Sequence, residues 1–314
     1  MQRIEFRAMG CQMAAMVDTC DAGVAKRLAQ VPTWFEEWDR ALSRFRPDSE
    51  LSRLNRSQGG AVRVGQVLWQ VLGQARAAAR QSDGLVTPAL LDHVEAAGYD
   101  QSFERLAPWM GPTEFATPPV RDWRAIELDS SAHTVRLPPA MRLDLGGIAK
   151  GWAADQAVAR LSRYGPALVD AGGDIAISGP MEGGERWPVA VADPMAPERD
   201  IARLWLDREA VATSGRDYRC WPRDGKWQHH IIDPRTGRPA ETDVLSATVI
   251  APTATEAEMA AKVTLILGSA AGLAWIEARE QLAALLVLEN GRVLRSRQMG
   301  DYEQDPSAGA LYAV

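Results

Sequence analysis

The chain has 314 residues, of which 46% are hydrophobic and 24% charged, a composition that supports a buried core and excludes an intrinsically disordered protein. Its 35 basic and 41 acidic side chains give a formal charge of −6, so we expect no nucleic-acid partner, because phosphate neutralisation requires a basic surface. Three cysteines are too few for a disulfide framework or a cysteine-rich zinc site.

The sequence as given predicts no apolar segment that would direct a protein to or through a membrane. No apolar run approaches the roughly 20 residues of a membrane-spanning helix. The first ten residues contain Arg3, Glu5 and Arg7 where a signal peptide needs an apolar stretch. We therefore expect no membrane span, and a cytoplasmic location for the chain as given, or a periplasmic one if a leader has been removed.

The first part of the chain combines strand-like and helical patterns. Residues 2–17 mix apolar and polar residues as a strand does, whereas 25–42 have apolar residues at helical spacing and predict one helix. Residues 66–79 predict a second amphipathic helix, which Gly84 ends. The Pro, Gly and Trp residues within 109–119 predict a long loop.

The remainder of the chain consists mainly of short strands and turns. Hairpins are predicted over 125–137, around Gly172-Gly173 and around Asn290-Gly291. Residues 141–163 predict a strand, a glycine turn and a helix, and residues 243–252 predict a further strand. Thr253 and Glu256 form a capping-box pattern that begins another helix. This irregular alternation favours an α+β fold in one bilobal unit over a doubly wound sheet.

The segment 144–151 is the first candidate for chemistry. It has two glycines between the end of a strand and the start of a helix, where backbone N–H groups can meet an anion. Lys150 could add a positive charge and Asp144 an acceptor. The alternative is an ordinary strand–helix turn with a solvated lysine.

Three further segments carry polar groups at turns. Residues 169–174 bear two carboxylates around a flexible turn, and residues 212–218 offer hydroxyls and small residues. Taken alone, each pattern favours an ordinary structure, a hairpin in the first case and a polar loop in the second. Residues 229–237 contain His229 and His230 with Asp233 and Arg235 close by. A histidine with a pKa of about 6.5 suits proton transfer, and arginine suits phosphate. In the alternative interpretation, one of the two histidines merely lies on the surface.

Taken in order, these segments resemble the FAD:protein FMN transferase (ApbE) family. Its members have patterns close to M-G-T, Y-R-P-x-S-E-L-S-x-L-N, D-L-G-G-I-A-K-G, G-G-D, T-S-G-x-Y and H-I-I-D-P-x-T-G. The corresponding segments here are 9–11, 45–52, 144–151, 172–174, 213–218 and 230–237. The resemblance extends from about residue 4 to residue 295.

The resemblance implies a fold and a reaction. The fold would be one ApbE-like, T-fold-related α+β domain over residues 1–314, with FAD in a central cleft. The reaction would move FMN from FAD to a Thr or Ser hydroxyl of an acceptor protein with release of AMP, and Mg²⁺ is the expected metal. The alternatives are a non-catalytic FAD-binding protein and an FAD pyrophosphatase, in which water replaces the protein hydroxyl.

The resemblance also assigns residues to the site. Positions that contact FAD in the family correspond to Met9, Phe45, Val86, Thr87, Pro88, Asp144, Lys150 and Ile231. Phe45 replaces the usual Tyr, and 86–88 replace a family F-D-P whose carboxylate is therefore absent. His230 corresponds to the histidine beside the reacting phosphate and is the candidate general base. Gly147 corresponds to a position whose backbone carbonyl contacts the metal.

The fifth segment, the helix that begins at Thr253, departs from the family pattern. Where the family has A-D-x-x-x-T, with Asp and Thr as metal ligands, this chain has Glu258 and Lys262. A protonated lysine cannot ligate Mg²⁺. The two side chains form either a simple i,i+4 helix pair or a site in which the Lys262 ammonium lies where the metal would lie. In the first case Glu258 can still hold Mg²⁺. In the second, Mg²⁺ is weakened, displaced or replaced, and we expect FAD binding without a metal and transfer that is slow or absent.

Overall fold

The structure is a computed structural model that describes residues 1–103, 117–223 and 226–304, without the side chains of Arg223 and Lys226. Apart from 117–119, the loop predicted at 109–119 lies outside the described residues. The strands are β1 Gln2–Ala8, β2 Cys11–Val17, β3 Val62–Arg63, β4 Glu127–Asp129, β5 Thr134–Arg136, β6 Ala167–Asp170, β7 Ile175–Ile177, β8 Trp187–Asp193, β9 Ala196–Leu206, β10 Ala210–Gly215, β11 Cys220–Arg223, β12 Lys226–His229, β13 Ile232–Asp233, β14 Arg238–Pro239, β15 Val244–Ala251, β16 Ala283–Leu288 and β17 Val293–Arg295. The helices are α1 Val24–Leu28, α2 Val31–Leu42, α3 Glu50–Asn55, α4 Gln66–Gln81, α5 Leu91–Ala96, α6 Ala149–Leu161, α7 Ala254–Leu267, α8 Ser269–Glu277 and α9 Gly300–Glu303.

The chain divides into two compact units. Unit 1 comprises Met1–Trp34, Lys150–Asp217 and Thr242–Val314, and unit 2 comprises Phe35–Ala149 and Tyr218–Glu241. Both units are therefore assembled from segments that are distant in the sequence.

Unit 1 is built on an eight-stranded sheet with the order β1-β2-β6-β7-β10-β15-β16-β17, in which neighbouring strands are antiparallel. A core of buried apolar side chains, among them Leu204, Leu206, Ile250 and Leu285, joins the β8–β9 hairpin to this sheet. Helix α7 packs against β10 and β15. Because most of its residues are buried, this helix is internal to the unit.

Unit 2 contains smaller sheets and a separate core. Its sheets are β3-β5-β4, β11-β12 and β13-β14. Tyr99 and Trp221 are buried together with Leu90, Val94 and Ile232. Aromatic side chains thus form part of this core.

Several predicted elements are present with small shifts at their ends. The strand-like segment 2–17 is the β1–β2 hairpin, the helix predicted at 66–79 is α4, and the helix predicted within 141–163 is α6. The strand predicted before α6 is wrong, because residues 141–145 form no strand and the Leu143 backbone bonds the Asn55 side chain instead. The three predicted hairpins are β4–β5, β6–β7 and β16–β17. Thr253 caps α7, since its hydroxyl accepts a hydrogen bond from the Glu256 N–H.

The single helix predicted over 25–42 is wrong, because the structure has α1 and α2 separated at Ala29 and Gln30. Pro32 explains the break. Proline has no N–H to donate to a carbonyl four residues earlier, and its ring clashes with that carbonyl, so it is tolerated only in the first turn of a helix. Pro32 is the second residue of α2.

No helix in the described ranges is both long and apolar enough to cross a bilayer.

Candidate functional site

Four charged side chains of unit 1 form a connected group, here called the lysine cluster: Lys150, Asp174, Glu258 and Lys262. The Lys150 ammonium is hydrogen-bonded to the Asp174 carboxylate and lies 3.6 Å from Glu258 Oε1. The Lys262 ammonium donates to the same Oε1 at 3.0 Å. Glu258 therefore lies between two ammonium groups.

The positions of these residues in their helices and turns explain why the four side chains lie together. Lys150 lies in the first turn of α6, and Asp174 follows the β6–β7 turn. Glu258 and Lys262 are one turn apart on α7, so both point to the same side of the helix. The sequence predicts this helix pair but not the contribution of Asp174, whose carboxylate it leaves without an assigned role.

Close contact between α6 and α7 depends on Gly151. A Cβ atom at this position would lie 2.5 Å from the Ala254 carbonyl oxygen, which no side chain allows. The Gly151 N–H donates to Glu258 Oε2 at 2.9 Å. Asp155 of α6 accepts hydrogen bonds from the N–H groups of Ala254 and Thr255 at the start of α7. No local sequence pattern indicates this role of Asp155, which tertiary contact alone creates.

Burial and charge oppose each other within the cluster. Burial raises the pKa of Glu258, but the ammonium groups of Lys262 and Lys150 outweigh it and hold that pKa below its usual range. Burial raises the pKa of Asp174 to about 6, against the attraction of Lys150. Burial also disfavours the charged form of Lys150, yet Asp174 and Glu258 raise its pKa overall. The raised pKa of Lys150 keeps its side chain an ammonium group at neutral pH.

The residues present do not fit the Mg²⁺ site that the resemblance implies. Both oxygens of Glu258 already accept hydrogen bonds, from Lys262 and Gly151. A protonated lysine has no lone pair for a metal. Within the described residues, no group of three or more His, Cys, Asp or Glu side chains is arranged to hold a metal ion.

Unit 2 contains a second group, here called the ring cluster: Arg44, Phe45, Tyr99, Trp221 and His230. The Tyr99 ring is central, with its centroid 5.7 Å from that of Phe45, 5.6 Å from Trp221 and 6.4 Å from His230. The Arg44 guanidinium lies 4.1 Å from the Phe45 centroid and 4.6 Å from that of Tyr99. Phe45 remains 40% exposed, so its ring can stack on a ligand.

Arg44 also fixes Asp144, one of the predicted FAD contacts. Its Nε lies 2.7 Å from Asp144 Oδ2, and its Nη2 donates to the Tyr99 carbonyl. The Asp144 Oδ1 accepts from the Gly146 N–H. The resemblance assigns no role to Arg44 or Tyr99, and only the folded structure reveals their contacts.

The two adjacent histidines have different surroundings. His229 is buried, and its Nε2 lies 3.1 Å from the Ala240 carbonyl while its Nδ1 accepts from the Ile231 N–H. The half-buried His230 has Nδ1 3.4 Å from the Arg219 carbonyl. Because a carbonyl only accepts, Nδ1 carries the proton in the neutral ring and Nε2 is the basic nitrogen.

The other predicted site residues are divided between the units. Met9, in unit 1, has a left-handed backbone (φ 48°) in the β1–β2 turn. In unit 2, the Pro88 carbonyl accepts from the Asp144 N–H, which connects the 86–88 segment, with Val86 and Thr87, to the glycine turn. Gly147 lies in that turn, and Ile231 is buried after β12.

Comparison with known proteins assigns the family. The model of the ApbE family matches residues 9–286. A Treponema pallidum protein named FAD:protein FMN transferase is 35% identical over 299 residues, which cover 89% of this chain and 82% of the relative. A protein of the same name from Salmonella typhimurium is 28% identical over 305 residues, with coverage of 92% and 85%.

Solved structures agree with this assignment. The crystal structure of the ApbE protein from Thermotoga maritima has a TM-score of 0.87 at 25% identity and covers 97% of this chain and 99% of its own. The apo form of the Pseudomonas stutzeri flavinyl transferase ApbE has a TM-score of 0.80 at 22% identity, with 96% of each chain covered, and supports the fold. The predicted α+β fold is confirmed, and the chain belongs to the ApbE family.

Proposed function

We propose that this chain is an FAD:protein FMN transferase, which moves FMN from FAD to a Thr or Ser hydroxyl of an acceptor protein and releases AMP. The observation that carries the proposal is the 35% identity, over 89% of the chain, to the Treponema pallidum protein of that name. The lysine cluster and His230 supply groups suited to a phosphate and to a proton, which are the two requirements of this reaction.

In the proposed reaction, an acceptor hydroxyl oxygen forms a bond to the FMN-side phosphorus of FAD. The bond from that phosphorus to the bridging oxygen breaks, and AMP leaves with the bridging oxygen. The hydroxyl proton passes to a base. FMN remains attached to the acceptor through a phosphoester, so the reaction consumes neither oxidant nor reductant.

His230 is the proposed base. Its Nδ1 faces the Arg219 carbonyl, which keeps Nε2 as the basic nitrogen. The neighbouring Tyr99 ring contacts the imidazole edge to face and restricts its orientation. His229 is unsuited to the role because both of its ring nitrogens serve backbone groups.

The proposed FAD contacts are Met9, Phe45, the 86–88 segment, Asp144, Lys150 and Ile231. The exposed Phe45 ring would stack on a flavin or adenine ring. Lys150 would act on phosphate oxygens as a point charge.

The test combines purified protein, FAD and a candidate flavin-acceptor domain that bears an exposed Thr. We expect saturable quenching of flavin fluorescence at micromolar FAD, an acceptor whose mass rises by one FMN phosphoester, and one AMP per modified acceptor. Release of AMP with free FMN would instead support a pyrophosphatase. FAD binding without AMP release would support a non-catalytic flavin-binding protein, and no saturable binding would contradict the whole proposal.

A further inference from the structure

The acidic and basic side chains of the lysine cluster differ in their exposure to solvent. The side chains of Glu258 and Asp174 are 1% and 2% exposed, whereas those of Lys262 and Lys150 are 16% and 17% exposed. The carboxylates are therefore almost fully buried, and the two lysine side chains are the more exposed members of the cluster. A ligand that approaches the cluster meets the lysine side chains before the carboxylates, an order that favours an anion over a cation.

The formal charges of the four side chains sum to zero. A divalent cation prefers a site with excess carboxylate oxygens. To reach Glu258 Oε1, it would have to displace the Lys262 ammonium from its 3.0 Å hydrogen bond and remain beside Lys150, whose ammonium is 3.6 Å from the same oxygen. Repulsion between cations at such distances, in a poorly hydrated site, opposes the binding of a metal.

The ion pair between Lys262 and Glu258 is more than an exposed helix pair. Exposed i,i+4 pairs contribute little, because water competes for both partners. Here Glu258 is almost fully buried and also accepts from the Gly151 N–H, so its carboxylate cannot rotate away. The carboxylate holds the Lys262 ammonium in one position.

We infer that Lys262 replaces the divalent metal of the FAD site: its ammonium, oriented by Glu258 and accompanied by Lys150, binds the pyrophosphate oxygens directly, so that FAD binding needs no metal ion. This inference rests on the proposed function for the identity of its ligand. The exclusion of a metal rests on the cluster geometry alone.

The first test uses the unmodified protein. We expect the Kd for FAD to be the same, within about twofold, in excess EDTA and in excess Mg²⁺. Titration with Mn²⁺, followed by its electron paramagnetic resonance signal, should show no saturable binding in the absence of FAD. FAD binding that EDTA abolishes, or a saturable Mn²⁺ site that the Glu258→Gln substitution removes, would overturn the inference.

The second test removes the ammonium. Lys262→Thr takes away one charge-assisted hydrogen bond to phosphate, so FAD affinity in EDTA should fall about tenfold or more. The same variant leaves a carboxylate and a hydroxyl one helical turn apart, and saturable Mn²⁺ binding should appear. Lys262→Arg keeps the charge and should keep metal-independent binding. Lys26→Thr, at an exposed lysine of α1, is the matched control. It should leave the Kd for FAD unchanged and should create no Mn²⁺ binding.

These experiments separate failure of the inference from failure of the proposed function. If FAD binds only with Mg²⁺, the inference is wrong and the proposed function stands. If FAD binds under no condition, the proposed function is wrong, and the Mn²⁺ titration still decides whether the cluster excludes a metal. If Lys262→Thr fails to fold, the EDTA and Mn²⁺ measurements on the unmodified protein give the answer.

Discussion

The lysine cluster and the ring cluster differ in what holds them together. The first consists of charges that neutralise one another, with both carboxylates buried and both oxygens of Glu258 hydrogen-bonded. The second consists mainly of stacked rings around Tyr99, with a half-exposed histidine at one side. Loss of a buried carboxylate from the lysine cluster should therefore act first on stability, whereas a change at His230 should act first on the reaction.

Glu258→Gln should have the largest effect on stability. The substitution leaves two ammonium groups beside a neutral amide, and loss of one partner of a buried ion pair costs about 3–5 kcal/mol. Urea denaturation at neutral pH measures the free energy of unfolding. Glu256→Gln, a half-buried position on the same helix, is the control and should cost less than about 1 kcal/mol. Equal losses for the two variants would contradict the distinct role of Glu258.

His230→Ala should reduce the rate of FMN transfer far more than the stability of the fold. We expect FMN transfer to fall about 100-fold or more, as is usual when a proton-transfer group is lost, with little change in the free energy of unfolding. His229→Ala should instead destabilise the fold by about 1–3 kcal/mol, because it leaves buried backbone partners at Ala240 and Ile231 without a hydrogen bond. AMP release per acceptor and urea denaturation distinguish the two. Equal losses of transfer at equal stability would refute the assignment of His230.

Asp243→Asn should have the smallest effect on the free energy of unfolding. The change measures how much an exposed, hydrogen-bonded carboxylate contributes to stability. Asp243 accepts hydrogen bonds from the hydroxyl and N–H of Ser269 at the start of α8, and these hold its pKa below the usual range. A lowered native pKa means that the carboxylate stabilises the fold above its unfolded pKa of about 4, and that this contribution disappears as the pH falls through the native value.

The difference in unfolding free energy between the unmodified protein and Asp243→Asn should therefore be below about 1 kcal/mol at pH 7 and should shrink towards pH 3. Parallel urea titrations at several pH values measure it. A difference that grows on acidification would show that the carboxylate does not act through Ser269.

The sequence predicts those parts of the molecule that depend on local patterns. The capping of α7 by Thr253 and the approach of Lys262 to Glu258 follow from spacing along one helix. The β16–β17 hairpin follows from Asn290-Gly291. The break between α1 and α2 also has a local cause, because Pro32 lacks the N–H donor that a continuous helix needs there. The apolar spacing alone favours one helix and conceals this break.

The remaining contacts depend on tertiary structure. The hydrogen bond of Lys150 to Asp174 joins residues 24 positions apart, and that of Gly151 to Glu258 spans 107. Tyr99 has no recognisable motif, yet it contacts both Phe45 and His230. No local pattern encodes such pairs, since they form only when separate segments pack together.

The absence of a side chain at Gly151 makes the geometry of the lysine cluster sensitive to substitution at that one position. The α6–α7 spacing at this point is set by main chain against main chain, since a single methyl group at residue 151 would collide with the Ala254 carbonyl. Backbone dimensions do not depend on side-chain volume. Apolar residues elsewhere on α7 can therefore be exchanged while Lys150 and Glu258 keep their separation, whereas any residue other than glycine at position 151 would force the two helices apart.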